Sequence, residues 1–222
     1  MTVENTADER FVTNHYRWTL QKWDGGRWRR IAPLAVPGPL HRIPPGESHE
    51  YRLSPTDGVA RGQDAYFAES DITIGGLGPG VYGLSMRGYF ESVPDTERVA
   101  AAVFGFAGSG NPIRPTNGVT SVTRDGSSLI VRSETVQSER ETLTASFVEG
   151  AADVPLLPEH VRQLAGLLNT LSYAPTEGVD TVRYVGRTDD VQLVETYLSA
   201  VTPSDATRYG FRDYTFELSV GE

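Results

Sequence analysis

The chain has 222 residues, of which 38% are hydrophobic, enough for one large domain or two small ones. It contains no cysteine, which excludes disulfide-rich scaffolds and thiolate metal sites. Its net charge of -9 repels the phosphate backbone of nucleic acids, so we expect no nucleic-acid partner.

The basic residues are unusually distributed, because the chain has a single lysine, Lys22, and nineteen arginines. A bias toward arginine is typical of GC-rich genomes, and an acidic surface suits a salt-rich cytosol. The composition therefore predicts a halophilic archaeon as the source. Genome composition alone is the alternative explanation of the arginine bias.

Membrane insertion is not expected from the sequence. The chain has no run of about 18 apolar residues, the length needed to cross a bilayer. Residues 1–10 are polar and acidic, whereas a signal peptide is basic and then apolar. We expect a cytoplasmic, soluble protein with no membrane partner, although a removed leader would leave the same sequence.

The first predicted elements are two strands joined by a hairpin, over Phe11 to Trp23 and Trp28 to Ala32. The turn between them contains Gly25 and Gly26, and glycine accepts the positive φ that a tight turn requires. Apolar and polar residues alternate along the first strand, which indicates a sheet with one buried face. Trp18 lies on the apolar side and is predicted to be in the core.

Further strands are predicted at about 48–53, 71–74, 81–90 and 99–107, with turns at the spacing of an all-β sandwich. The segment 33–45 is rich in proline, so it cannot pair centrally in a sheet. It is predicted to be a connection that crosses between layers or runs along an edge. Residues 1–110 are therefore predicted to form one β-sandwich.

Two turns in this half carry a resemblance to a known fold. The string PPGES at 44–48 precedes an aromatic strand, and GPGVY at 78–82 opens the next one. Both resemble turns of immunoglobulin-like accessory domains, including the intracellular proteinase inhibitor type. The longer strings NHYRWTLQKWDGGRWRRIAPLAVPGPLHRIPPGESHEYRL and GLGPGVYGLSMRGYFES are similar to a group of uncharacterised haloarchaeal proteins. The resemblance covers about half the chain and implies an immunoglobulin-like scaffold without implying an activity.

The second half has a different pattern, and residues 111–222 are predicted to form an α+β domain. Its predicted elements are a hairpin over Val119 to Glu134, strands over Leu143 to Val148, Thr181 to Gly186 and Tyr209 to Val220, and helices over Pro158 to Leu171 and Asp189 to Val201. Both helices have an apolar stripe, so they are predicted to pack on an antiparallel sheet in the order β-β-β-α-β-α-β. In the alternative arrangement, the hairpin over 119–134 completes the first sandwich.

The common catalytic and cofactor motifs are not present in their required context. The glycine runs at 75–80 and 105–110 lack phosphate-loop spacing and open no helix, so they are interpreted as turns. Ser85 lies in the middle of a predicted strand, where no sharp turn would expose its hydroxyl as a nucleophile. The sequence therefore predicts no catalytic residue and no cofactor.

Two histidines suggest one chemical hypothesis. His41 and His49 flank the Pro-Pro-Gly turn and could converge, with Glu47 and Glu50 as carboxylate partners for a metal ion or a proton transfer. Their spacing matches no known zinc motif, so isolated surface histidines are the preferred interpretation. His15 and His160 have less support still.

Aromatic and basic residues suggest a binding face formed by Trp23, Arg17, Arg27 and Arg29, because tryptophan and arginine often anchor interfaces. In the preferred interpretation, Trp18 and Trp28 fill the core and the arginines line a solvated strand.

Two functional classes remain. The first is a non-enzymatic binding or accessory protein that presents its sandwich surface to a protein partner. The second is an enzyme with an acid-base site between the halves that uses acids with His41 or His49. We favour the first class, because no catalytic motif is present. The sequence identifies neither the partner nor the oligomeric state.

Overall fold

A computed structural model describes residues 1–32, 38–56, 68–108, 112–134, 140–174 and 177–221. Over these residues the protein is mainly β, with sixteen strands and three helices. The chain divides into two compact units, whose described residues are 1–32, 38–56, 68–74 and 78–108 in unit 1, and 75–77, 112–134, 140–174 and 177–221 in unit 2. The domain boundary predicted after residue 110 stays a prediction.

Unit 1 is built from strands. They are β1 (Thr2–Glu4), β2 (Phe11–Trp23), β3 (Trp28–Ala32), β4 (His41–Ile43), β5 (Ser48–Glu50), β6 (Arg52–Thr56), β7 (Asp71–Gly75), β8 (Gly80–Phe90) and β9 (Arg98–Phe106). The main sheet has the order β3-β2-β8-β9, and β4 pairs with the beginning of β2. Two smaller sheets join β1 to β5 and β6 to β7.

The predicted hairpin of β2 and β3 is confirmed. The two strands pair antiparallel from Leu20 opposite Ala32 to Trp23 opposite Trp28, and Gly25 has a φ of 60° in the turn. The strands predicted later in this half correspond to β5 through β9. The first part of the predicted proline-rich connection, residues 33–37, lies outside the described residues.

The core of unit 1 is lined by both the main sheet and the smaller ones. Its largest fully buried side chains are Trp18, Leu20, Ile31, Tyr51, Ile72, Ile74, Tyr82, Leu84 and Met86. Trp18 has no exposed surface, as predicted, and its indole Nε1 donates a hydrogen bond to the Ala68 carbonyl at 2.9 Å. This bond ties the main sheet to the segment that leads into β7.

Unit 2 combines seven strands with three helices. The strands are β10 (Val119–Asp125), β11 (Ser128–Ser133), β12 (Arg140–Val148), β13 (Val154–Pro155), β14 (Thr181–Arg187), β15 (Arg208–Phe211) and β16 (Tyr214–Gly221). The helices are α1 (Pro158–Gln163), α2 (Ala165–Leu171) and α3 (Thr188–Val201). The sheet has the order β10-β11-β14-β12-β16-β15-β13, with parallel pairing only at β11–β14 and β13–β15 among the described strands.

The helices of unit 2 cover one face of this sheet. Helices α2 and α3 both pack on β12 and β14, where Val182 and Tyr184 are buried. Helices α2 and α3 also lie close to each other at Gly166. A Cβ added to this glycine would be only 2.9 Å from the Asp190 carbonyl oxygen. The hairpin of β10 and β11 joins this sheet through β14, so the alternative in which it completes the first sandwich is wrong.

Two predicted elements of unit 2 are divided in the structure. The helix predicted over 158–171 is interrupted at Leu164, whose φ of -118° and ψ of 118° are extended, and Gly166 lowers helix propensity nearby. The strand predicted over 209–220 is a hairpin, because Phe211 pairs with Tyr214 across a two-residue turn. Arg212 takes a φ of 54° there, as such tight turns require.

No helix within the described residues is long and apolar enough to cross a membrane. This holds for α3, the longest of them, whose fourteen residues include several charged ones. It also holds for the shorter helices α1 and α2.

Replacing Trp18 with alanine should lower the free energy of unfolding by about 3–5 kcal/mol, because it leaves a cavity in the core of unit 1. Trp23 is 42% exposed and stacks edge-on against Trp28, so Trp23→Ala should lose only about 0.5–1.5 kcal/mol. Urea denaturation of both variants measures the difference. Equal losses would show that Trp23 is a structural residue.

Gly88 in β8 should tolerate no side chain. A Cβ at this position would lie against the Val12 carbonyl oxygen and 2.5 Å from Phe11 Cζ. We expect Gly88→Ala to lower the free energy of unfolding by about 1–3 kcal/mol through overpacking. Gly105→Ala in β9 is the matched control, because its nearest contact would be 3.7 Å away, and it should change stability by less than about 0.5 kcal/mol.

Candidate functional site

The candidate site begins with an irregularity in β2. Thr13 pairs with Gly88 and Trp18 pairs with Met86, so four residues of β2 lie opposite the single residue Arg87 of β8. The three additional residues form a bulge at 14–17, and a bulge changes the direction in which side chains point. The bulge therefore removes His15 from the simple alternation that the sequence predicts for β2.

Local hydrogen bonds hold the bulge in shape. The Asn14 side-chain oxygen accepts from the Tyr16 backbone N–H at 2.9 Å, and the Asn14 amide donates to the Gly38 carbonyl at 3.3 Å. Gly38 has a φ of 133°, and a Cβ there would lie 2.7 Å from the Tyr16 ring. Thr13 closes the bulge by donating its hydroxyl to the Arg87 carbonyl at 2.7 Å.

Three imidazole rings stack beside this bulge. The ring of His15 lies between those of His41 in β4 and His49 in β5, with centroid distances of 4.1 and 3.7 Å. The planes of His15 and His41 are 3° from parallel. Tyr51 packs edge-on against His49, and its hydroxyl donates to the His15 carbonyl at 2.9 Å. Four residues from three separate segments thus form one aromatic cluster.

A carboxylate completes the cluster. Glu69 Oε1 lies 3.2 Å from His15 Nδ1 and 3.3 Å from His41 Nε2. The side chains of His15 and His41 are only 12% and 28% exposed, whereas that of Glu69 is 44% exposed. The site therefore has a shielded side formed by imidazoles and an open side at the carboxylate.

The electrostatics favour neutral His15 and ionised Glu69. Burial lowers the pKa of His15, and the nearby His49 and His41 lower this pKa further, which outweighs the hydrogen bond to Glu69. The hydrogen bond from His15 lowers the pKa of Glu69. Burial raises the pKa of Tyr51 well above its usual range, so its hydroxyl stays a hydrogen-bond donor.

His41 and His49 were predicted to converge, and the ring of His15 connects them, because each stacks on that ring. Neither Glu47 nor Glu50 belongs to the group, and Glu50 bonds to Arg52 at 3.0 Å. Glu69 supplies the carboxylate, and no sequence signal identified it, because it is 28 residues from His41 and follows no motif. His160 lies in unit 2, where its Nδ1 accepts from the Leu157 backbone N–H.

The predicted binding residues divide between two faces of the main sheet. Trp23 pairs with Trp28 and Lys22 pairs with Arg29, so alternation places Arg29 on the face opposite Trp23. Arg29 is largely buried and bonds to Asp24 at 2.6 Å. Arg17 is exposed at the end of the bulge, and Arg27 is exposed in the hairpin turn.

The preferred interpretation placed Trp28 in the core, and this is wrong, since the residue is 39% exposed. Its ring reaches across β2 and lies over Gly83 in β8, where an added Cβ would be 3.3 Å from the indole. Trp28 therefore lies on the outer face of the main sheet with Trp23, and their ring centroids are 5.4 Å apart. The absence of a side chain at Gly83 gives the indole a flat surface on which to lie.

Exposed valines extend this outer face toward β9. Val81, Val99 and Val103 are 44%, 55% and 65% exposed, and Val103 lies directly opposite Gly83. Together with Trp23 and Trp28, these residues form what we call the outer apolar face. Strand β9 is the last strand of the main sheet, and among the described residues only β8 pairs with it.

Comparisons with known proteins do not identify the chain. No family model, no curated protein and no solved structure matches it.

Acidification should destabilise the protein through His15. Because the folded pKa lies below the unfolded value of about 6.5, the unfolded chain binds the proton first as the pH falls. The free energy of unfolding should therefore decrease as the pH falls through about 6.5. Below the folded pKa of His15, this residue should cause no further decrease. Urea denaturation at a series of pH values between 8 and 5, with a chelator present to remove metal ions, measures this free energy.

The His15→Gln variant is the control for this pH dependence, because it removes the titrating ring. The difference in unfolding free energy between the unmodified protein and this variant should shrink as the pH falls from 7.5 to 5.5. A difference that stays constant over this range would contradict the predicted contribution of His15.

Proposed function

We propose that this protein is a non-enzymatic binding protein whose main sheet in unit 1 accepts an extended segment of a protein partner. The segment would add as a strand beside β9 and lay its side chains on the outer apolar face. The observation that carries this proposal is the free edge of β9, a nine-residue strand that has only β8 as a partner among the described residues.

The composition of β9 supports strand addition. Its sequence, RVAAAVFGF, contains one charged residue and neither lysine nor proline. Natural edge strands are usually protected by charges, proline or a bulge, because their free N–H and C=O groups can pair with another chain. The register of β9 against β8 is regular from Gly80–Phe106 to Gly88–Arg98, so no bulge protects this edge. Such an edge is suited to a partner strand.

The outer apolar face supplies the side-chain contacts that strand addition needs for specificity. Trp23 and Trp28 are large, partly exposed and fixed by their edge-on contact. Aromatic residues of this kind contribute strongly to interfaces because they bury a large area at small entropic cost. Val103 lies on β9 itself, directly opposite Gly83, over which the Trp28 ring lies. A strand added at the edge would therefore contact Val103 directly, and its long side chains would extend toward Trp28.

The charges around this face favour an acidic partner segment. Glu97 lies between two arginines, with Oε2 2.8 Å from Arg87 and Oε1 3.7 Å from Arg17. Two cations against one anion leave a positive charge here, and Arg98 adds another at the beginning of β9. The rest of the chain is acidic, with a net charge of -9. A segment that alternates apolar and acidic residues would complement the edge electrostatically.

The scaffold for this function is, in our proposal, an immunoglobulin-like sandwich in unit 1. Its support is the buried set that joins Trp18, Tyr82 and Leu84 of the main sheet to Ile72 and Ile74 of β7. Sandwich domains of this class present loops and edges to partners while the core stays unchanged. Binding through β9 would then require little rearrangement.

The proposal can be tested by selecting binders from a displayed random-peptide library on the folded, immobilised protein. We expect enriched peptides to alternate apolar and acidic residues. Val103→Lys should weaken their binding roughly tenfold or more, about 1.4 kcal/mol, because it places a charge on the edge strand. Trp23→Ala should weaken binding by a smaller factor, because Trp23 holds the Trp28 ring by its edge-on contact. Fluorescence anisotropy of a labelled peptide measures both effects.

Val122→Lys is the matched control, because Val122 is an exposed valine on β10 of unit 2 and lies outside the proposed surface. It should bind like the unmodified protein. Peptides that bind Val103→Lys as well as the unmodified chain would contradict the proposal. Sedimentation that detects a dimer lost on Val103→Lys would instead assign the edge to a second copy of the chain.

A further inference from the structure

We propose that His15, His41 and Glu69 bind one zinc ion in unit 1, with His49 positioning Glu69. This inference concerns a site separate from β9 and does not depend on the binding function proposed above. It rests on the separations of three ligand atoms, on the residue types and on the hydrogen bonds that hold them.

The atoms are already close to the spacing that zinc requires. Zn–N and Zn–O bonds of about 2.0–2.1 Å in a tetrahedron place neighbouring ligand atoms about 3.3 Å apart. Glu69 Oε1 lies 3.2 Å from His15 Nδ1 and 3.3 Å from His41 Nε2. All three ligand atoms lie within 4.8 Å of one another. The planes of His15 and His41 are now parallel, so the two rings would tilt toward each other to direct both nitrogens at one ion.

The chemistry of the ligands selects the metal. Two imidazole nitrogens and one carboxylate suit zinc and similar first-row transition metals, whereas magnesium and calcium prefer sites made of oxygen alone. Three protein ligands leave a fourth position for water or an exchangeable ligand, as in zinc sites that are not purely structural. The partial exposure of Glu69 gives an ion access from solvent.

Neighbouring groups hold the ligands in place, as functional metal sites require. His49 Nε2 lies 3.0 Å from the Glu69 carbonyl, and the Trp18 indole donates to the carbonyl of Ala68. The Arg52 backbone N–H donates to the Ser70 carbonyl at 2.9 Å. The main chain of Glu69 and of both its neighbours is therefore fixed. His15 is fixed in the same way by the hydroxyl of Tyr51.

The cluster is an expensive arrangement for stability alone. His15 Nε2 and His41 Nδ1, the nitrogens that do not face Glu69, are buried without a hydrogen-bond partner among the described residues. Buried polar groups are normally hydrogen-bonded, so such a cluster calls for an explanation beyond stability. The nitrogens that face Glu69 are the ones available to an ion.

Titration of Zn²⁺ into the untagged, chelator-treated full chain by isothermal calorimetry at pH 7.5 tests the site. We expect one ion per chain, and little heat from Mg²⁺. His41→Ala and Glu69→Gln should each weaken zinc binding by more than about 100-fold. His49→Gln should weaken it by roughly 10- to 100-fold, the effect typical of a residue that supports a ligand.

Glu47→Gln is the matched control, because Glu47 is exposed near His49 but does not belong to the cluster, and it should bind zinc like the unmodified protein. Co²⁺ in place of Zn²⁺ should give the visible absorption of a tetrahedral site, and this absorption should be lost in Glu69→Gln. Circular dichroism of each variant checks that it is folded. The proposal would be overturned if the unmodified chain took up no zinc. It would also be overturned if His41→Ala and Glu69→Gln bound zinc as tightly as the unmodified chain.

Discussion

The constraint on which unit 1 depends is the bulge between Thr13 and Trp18 in β2. A regular strand would place His15 on the outer face of the main sheet with Arg17 and Trp23, because side chains alternate strictly. The three additional residues separate β2 into a first part paired with the end of β8 and a second part in register with its beginning. Gly88 lies opposite this change, where a side chain would collide with Phe11. One irregularity thus positions both the core tryptophan and the histidine cluster.

The histidine cluster exists because several favourable contacts offset its desolvation. The stacked neighbours shield His15 from water, which lowers its pKa, and Glu69 partly compensates by accepting a hydrogen bond from His15. The main-chain bonds to residues 68–70 are made by Trp18, His49 and Arg52, so the backbone that carries the Glu69 carboxylate is held by the core. Such rigid support is what a ligand site requires of the residues around it.

The opposite surface of the same unit follows from the alternation of the strands. Inward residues of β8 fill the core, and the outward residues Val81 and Gly83 are left on the side where Trp28 and Val103 lie. The sheet ends at β9, whose sequence carries none of the usual protective residues. The arginines next to Glu97 set the sign of the charge along this edge. The proposed binding surface and the proposed zinc site therefore lie on different parts of unit 1.

The sequence by itself determined most strands, both hairpin turns and the buried stripes of the helices, because hydrophobic period and turn residues act over a few neighbouring positions. It also identified Trp18 as core and noted that His41 and His49 could meet. The sequence did not predict the features that depend on contacts between distant segments. These are the bulge that turns His15 inward, the contribution of Glu69, the opposite faces of Trp23 and Arg29, and the exposure of Trp28 over Gly83. Those features depend on cross-strand register and on which strand is the last in the sheet. Only the tertiary structure fixes these, because pairing partners far apart in the chain leave no local periodicity.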